Sequence, residues 1–343
     1  MDITSWKDTW GTINWKKDPE AKIIQKITDF YHAGVDFNMA NKEDGGMLPL
    51  MYAAEHSSKV VVDLLIDGGA DPSLTDFGER TALQCASVGG KTENAKYLIE
   101  YGPKKFAERK DIWHGTAMHL AACNGNTDII KILHEYNPDL INEKDIGGES
   151  TLHYAVEGRS MKAAELLLKY NPKLINEKTN KEYTVLHLAV SKDLVEMAEL
   201  LLAYDPLLVN EANLAGRTPL HLATENNNLK MIKMLIEHGA NINAQDKEGY
   251  TPLFKPVYNN HTKTVKTLIE LGADVNIKDL WGRSALSCAD SLIIKNLIRK
   301  ADKVRADYLK KKSKSSLRKT LQSSSDKKGK GVFATIFKGQ KEK

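Results

Sequence analysis

Apolar residues recur along this chain in a short pattern that predicts paired helices. In Met161-Lys-Ala-Ala-Glu-Leu-Leu-Leu-Lys-Tyr, Ala164, Leu167 and Leu168 keep the three- and four-residue spacing of a single helix face. The preceding Gly148-Glu-Ser-Thr-Leu-His-Tyr-Ala-Val-Glu predicts a first short helix, with Ser150 placed to accept a hydrogen bond from an unpaired backbone N–H at its start. Helices this short are marginal alone, so their apolar faces must be buried against neighbours.

The unit repeats. The position of Ser150 is filled at Leu48, Thr81, Thr116, Ser150, Thr184, Thr218, Thr251 and Ser284, with intervals of 33, 35, 34, 34, 34, 33 and 33 residues. Each second helix is followed by one of two turns. Gly69-Ala-Asp, Gly239-Ala-Asn and Gly272-Ala-Asp supply glycine where a helix end favours a left-handed residue. Tyr136-Asn-Pro, Tyr170-Asn-Pro and Tyr204-Asp-Pro instead stop the helix with proline, and Asn or Asp is expected to take the glycine's place at the turn.

A period near 33 residues carrying Thr-x-Leu-His-x-Ala resembles the ankyrin-repeat family over roughly residues 20–300. The best-matching unit is Thr218-Pro-Leu-His-Leu-Ala with Gly239-Ala-Asn-Ile-Asn. The resemblance implies an all-α, ankyrin-repeat solenoid of stacked helix–turn–helix units with hairpin-like loops, about eight repeats preceded by an N-terminal capping helix. Partners dock in that family on the fingertips and the concave face. Carried over residue by residue, the partner-binding fingertips are Phe77, Ile112, Trp113, Ile146, Tyr183, Leu214, Tyr250, Leu280 and Trp281. Matching groove positions include Glu55, His56, Val88, Cys123, Asn124, Glu157, Ser191, Lys192, Glu225, Asn226, Tyr258 and Asn259.

Some units depart from the pattern. Leu48 and Met51 replace Thr and His in the first, Gln84 replaces His in the second, and Pro256 is expected to kink or shorten a first helix in the seventh. The eighth, residues 284–301, has lost residues between its helices, as suits a terminal cap. The expected organisation is a Trp-rich N-terminal segment (1–17), the repeat domain (18–301) and a basic, largely flexible tail (302–343). Trp6 and Trp10 share a face if their segment is helical. Packing of these tryptophans over the open end of the stack, and binding of a partner by them, both fit the sequence.

Charge separates the tail from the repeats. From Arg299 onward, 16 Lys+Arg face 4 Asp+Glu, a net of +12, which against the whole-chain +4 leaves −8 on residues 1–298. Contact of the tail with an anionic membrane or nucleic acid therefore competes with a merely solvated extension. Its apolar island runs from Val332 to Phe337. No apolar run reaches the length of a membrane span, and three unpaired-looking cysteines fit a reducing compartment.

Chemistry of catalysis or metal binding is not expected. His119, His153, His187 and His221 occupy one repeat position, and stacked helices lie too far apart, at about 8–10 Å, for one zinc to bridge them. Hydrogen bonding within and between repeats is their expected role. Cys123 has no evident activating base. No cofactor, metal site, catalytic residue or small-molecule substrate is expected. The sequence thus points to a cytoplasmic, monomeric, non-catalytic adaptor, scaffold or inhibitor that binds a protein. An effector of an intracellular bacterium, secreted into a host cell to act on host proteins, and a regulator tethered to membrane or nucleic acid by its tail stand as alternatives.

Overall fold

The computed structural model describes residues 5–301, so the expected tail and its apolar island lie outside the described residues. After α1 (Glu20–His32), eight helix pairs follow: α2 (Pro49–His56) with α3 (Lys59–Asp67), α4 (Ala82–Gly89) with α5 (Thr92–Tyr101), α6 (Ala117–Cys123) with α7 (Thr127–Tyr136), and α8 (Thr151–Glu157) with α9 (Met161–Tyr170). Next come α10 (Val185–Ser191) with α11 (Val195–Tyr204), α12 (Pro219–Glu225) with α13 (Leu229–Glu237), α14 (Phe254–Tyr258) with α15 (Thr262–Glu270), and α16 (Ala285–Cys288) with α17 (Leu292–Arg299). The described residues are all-α apart from isolated antiparallel bridges such as Lys144 with Ser150 and Lys178 with Thr184, which mark the hairpin-like fingers before the first helices. The described residues divide into two compact units, with the boundary between Leu214 and Ala215.

Five of the eight first helices start at capping boxes. Thr81, Thr116, Ser150, Thr184 and Thr218 cap α4, α6, α8, α10 and α12, each paired with the side chain three residues on. Second helices bury one stripe each: Ile129, Ile130 and Leu133 in α7, and Ala163, Ala164, Leu167 and Leu168 in α9. Removing such a leucine side chain costs about 2–5 kcal/mol through lost transfer energy and the cavity left behind.

The two turn types differ in a way the sequence reading did not foresee. Gly69, Gly239 and Gly272 are left-handed, with φ of 104°, 93° and 98°. Asn137, Asn171 and Asp205 are extended instead, with φ of −149°, −138° and −142°. Proline bars the residue before it from helical geometry and drives it to extended backbone. Their side chains therefore cap short 3-10 helices, Pro138–Asn142, Pro172–Asn176 and Pro206–Asn210, rather than standing in for glycine.

The irregular ends follow the sequence more closely. Pro256 lies in α14, which has only five residues. At the N-terminus, residues 6–9 form a turn followed by a 3-10 helix, Trp10–Thr12, so Trp6 and Trp10 do not share an α-helical face. Trp10 is fully buried, its ring edge-on to Phe30 and Phe37 and its Nε1–H donating to the Asp36 carbonyl at 2.9 Å. Trp15 is also buried, while half-buried Trp6 lies against Tyr52.

Candidate functional site

Five of the fingers are built around one carboxylate acceptor. Asp111 Oδ1 accepts from the N–H groups of Trp113 at 2.9 Å and Gly115 at 2.8 Å. Asp76, Asp145, Asp246 and Asp279 do the same for the residues two and four positions on. A carboxylate that accepts two backbone N–H groups fixes the turn locally. Thr179 fills this role in the fifth finger, accepting from Tyr183 N–H. For Asp279, burial pushes the carboxyl upward, but the Arg283 backbone N–H and guanidinium outweigh it and hold the carboxyl below its usual range.

The finger tips are joined through their main chains. In the first unit Phe77 N–H donates to Gly45 O, Ile112 to Gly78 O, Ile146 to Trp113 O, Asn180 to Gly147 O and Leu214 to Lys181 O, at 2.8–3.0 Å. The second unit repeats the contact from Lys247 to Ala215 O and from Leu280 to Glu248 O. Each of these tips is therefore the dipeptide that follows an Asp, Thr179 or, for Leu214-Ala215, Asn213. The next residue is left-handed, as at Glu79, His114, Gly148, Glu182, Gly249 and Gly282. At Gly249 the neighbouring tip comes so near that an added Cβ would lie 2.8 Å from Leu280 N.

This geometry sorts the expected partner-binding residues. Phe77, Ile112, Trp113, Ile146, Leu214, Leu280 and Trp281 are tip residues and all are exposed, Trp113 to 62% and Trp281 to 61%. Phe77 also leans over Gly46, where an added Cβ would meet its ring at 2.5 Å. Tyr183 and Tyr250 are not at tips. They lie at the finger base, half-buried, with their carbonyls accepting from His153 Nε2 at 3.2 Å and His221 Nε2 at 3.0 Å. The tips of those two fingers are Asn180-Lys181 and Lys247-Glu248, polar pairs absent from the residue-by-residue carry-over. Counting from the finger's Asp or Thr would have found them.

The repeat histidines are structural. Nδ1 of His119, His153, His187 and His221 lies 2.8–2.9 Å from the capping hydroxyl and 3.1–3.3 Å from the cap's backbone N. Nδ1 is thus the acceptor, and for His153 and His221 the proton sits on Nε2. Burial holds His119 and His153 neutral, with pKa values lowered to about 4. Gln84 makes the same two contacts with an amide.

The expected groove positions include charged residues such as Glu157 and Lys192. Burial and the carboxylates of Asp145 and Glu157 raise the Glu149 carboxyl, and Lys192 pairs with Glu157. Burial and nearby Glu157 also raise the Cys123 thiol, so it stays protonated at neutral pH and is a poor nucleophile. Among the described residues, no helix is long and apolar enough to cross a membrane.

Comparison with known proteins agrees with this architecture. The mouse protein "Ankyrin repeat family A protein 2" is 42% identical over 57 residues, 16% of this chain and 18% of that protein. The match thus spans less than a fifth of that relative's length. The family described as "Ankyrin repeats (3 copies)" matches residues 20–111, 118–211 and 205–279, well over half of the chain. With capped first helices, buried second-helix stripes and linked fingers recurring at the same period, the chain belongs to the ankyrin-repeat family.

Proposed function

We propose that this protein is a non-catalytic interaction module, an adaptor, scaffold or inhibitor that holds a partner protein on its finger tips and the inner faces of its first helices. Ankyrin repeats are in general protein–protein interaction modules, and the observation that carries the reading here is Trp113. The residue is 62% exposed, yet its backbone is held by Asp111, by Ile146 and, through Ile112, by Gly78. A large apolar side chain presented on rigid backbone loses little entropy on binding, which is why such residues concentrate binding energy. A cytoplasmic setting is part of the proposal.

The test compares affinity capture from cytosolic lysate by the wild type and by Ile112→Ala/Trp113→Ala, with thermal melts to confirm that both are folded. The reading expects a protein retained by the wild type and lost by the variant. Identical capture by the two, with the variant folded, would refute the role of these tips.

A further inference from the structure

Two short first helices leave a hollow in the second unit. Pro256 has no backbone N–H to donate, and α14 is reduced to one turn and a little more. Helix α16 ends at Cys288 and the chain turns extended at Ala289, with ψ of 126°. Ser291, the match of Tyr258 at the 33-residue spacing, is therefore not on α16. Tyr258 is left 72% exposed. A cavity of about 370 Å³ opens beside it, lined by Tyr250, Phe254, Lys255, Tyr258, Arg283 and Cys288.

The lining contains three aromatic rings and two cations, and no carboxylate. Arg283 is positioned by three contacts: Nε lies 2.8 Å from Asp279 Oδ2, Nη2 lies 2.9 Å from Tyr250 Oη, and the guanidinium carbon stands 4.9 Å from the Trp281 ring centroid. Lys255 meets its nearest acid, Glu225, only at 3.9 Å. Both cations remain roughly half-exposed, at 49% and 42%. A cavity of this size, with aromatic walls and a few converging donors, suits a small group of side chains. Charge also favours this unit for an acid, since residues 215–298 carry 10 Lys+Arg against 8 Asp+Glu, whereas residues 1–214 carry 23 against 33.

We infer that this hollow receives an acidic peptide segment of a partner protein. A carboxylate meets Lys255 and Arg283, and an adjoining apolar side chain packs against Tyr250 and Tyr258. The inference rests on the interaction-module reading but not on the tips, because none of the six lining residues is a tip residue.

The test is fluorescence anisotropy on the full chain with a fluorescein-labelled, amidated peptide, Gly-Glu-Phe-Asp-Glu-Phe-Gly, and its counterpart with lysine at every acid. Wild type, Tyr258→Ala, Lys255→Glu and the tip variant Trp113→Ala are compared, each shown by circular dichroism to be folded. The acidic peptide should bind the wild type and Trp113→Ala alike, about tenfold or more weaker to each pocket variant, and more weakly as salt is raised. The lysine peptide should not bind. Equal binding of both peptides, unchanged affinity for Lys255→Glu, or no binding up to about 1 mM peptide would overturn the inference. Loss with Trp113→Ala but not with the pocket variants would overturn it as well, and would leave the tip reading standing.

Discussion

The Gln84 amide donates to the Gly115 carbonyl at 2.8 Å, in the place from which His153 donates to the Tyr183 carbonyl at 3.2 Å. One framework position is thus served by an amide that never titrates and by an imidazole that does. His119 and His153 are held to pKa values of about 4 by burial, whereas an unfolded imidazole titrates near 6.5. The unfolded chain takes up protons first, so the stability these groups contribute is complete above about pH 6.5 and is lost as pH falls toward about 4. Each should withdraw about 2 kcal/mol between about pH 7.5 and about pH 5. His153→Gln should melt like the wild type at the higher pH and lose less at the lower one, as read by urea midpoints. An unchanged pH profile in that variant would show that His153 does not carry its share.

Asp111 should matter through its acceptor and not its charge. Asp111→Ala frees the N–H groups of Trp113 and Gly115 and should cost about 1–3 kcal/mol. Asp111→Asn keeps an oxygen acceptor and should cost clearly less. Chemical denaturation of the two variants separates these outcomes, and equal losses would point to the charge instead.

Close backbone approach sets the cost at Gly158. A Cβ added there would lie 1.6 Å from the Cys123 carbonyl oxygen, so the chain must shift. Gly158→Ala should lower stability by about 1–3 kcal/mol. Glu182 presents the opposite case, a non-glycine residue at φ 57°. Glu182→Gly should raise stability by about 0.5–1 kcal/mol. Thermal melts of both variants check the two signs together.

Finger bases in the first unit are linked by ion pairs at one repeat spacing, Lys110 to Glu143 at 2.6 Å, Lys144 to Glu177, and Lys178 to Glu211 at 2.7 Å. All are partly exposed, so each contributes at most about 1 kcal/mol. Lys178→Glu should destabilise modestly, less so at high salt, and Lys178→Glu/Glu211→Lys should recover most of the loss. A double-mutant cycle at two salt concentrations measures this directly.

The residues that repeat were legible and those that do not were less so. Thr81 to Ser284 set the register, and the helix starts followed because a capping hydroxyl and its partner three residues on are local chemistry. Pro256 announced a short helix for the same reason. The Asn137 turn was misread because the proline after it, and not the Asn, decides the backbone. The residue-by-residue carry-over puts Tyr183 and Tyr250 at tips, whereas the tip is fixed by its distance from the finger's Asp or Thr and falls two or three positions earlier. Contacts between fingers, and the hollow beside Tyr258, depend on atoms some thirty residues apart and leave no local trace.

The main-chain links between tips have an evolutionary consequence. Since Ile112, Ile146, Asn180 and Leu214 make the same rung with apolar and polar side chains alike, the side chain at a tip is not needed to hold the finger in place. Substitution there changes what the surface presents while leaving the frame that presents it intact. Insertion of a single residue is another matter, because it would break the rungs to both neighbouring fingers at once. Change in the surface this protein presents is therefore open by replacement at the tips and closed by changes in finger length.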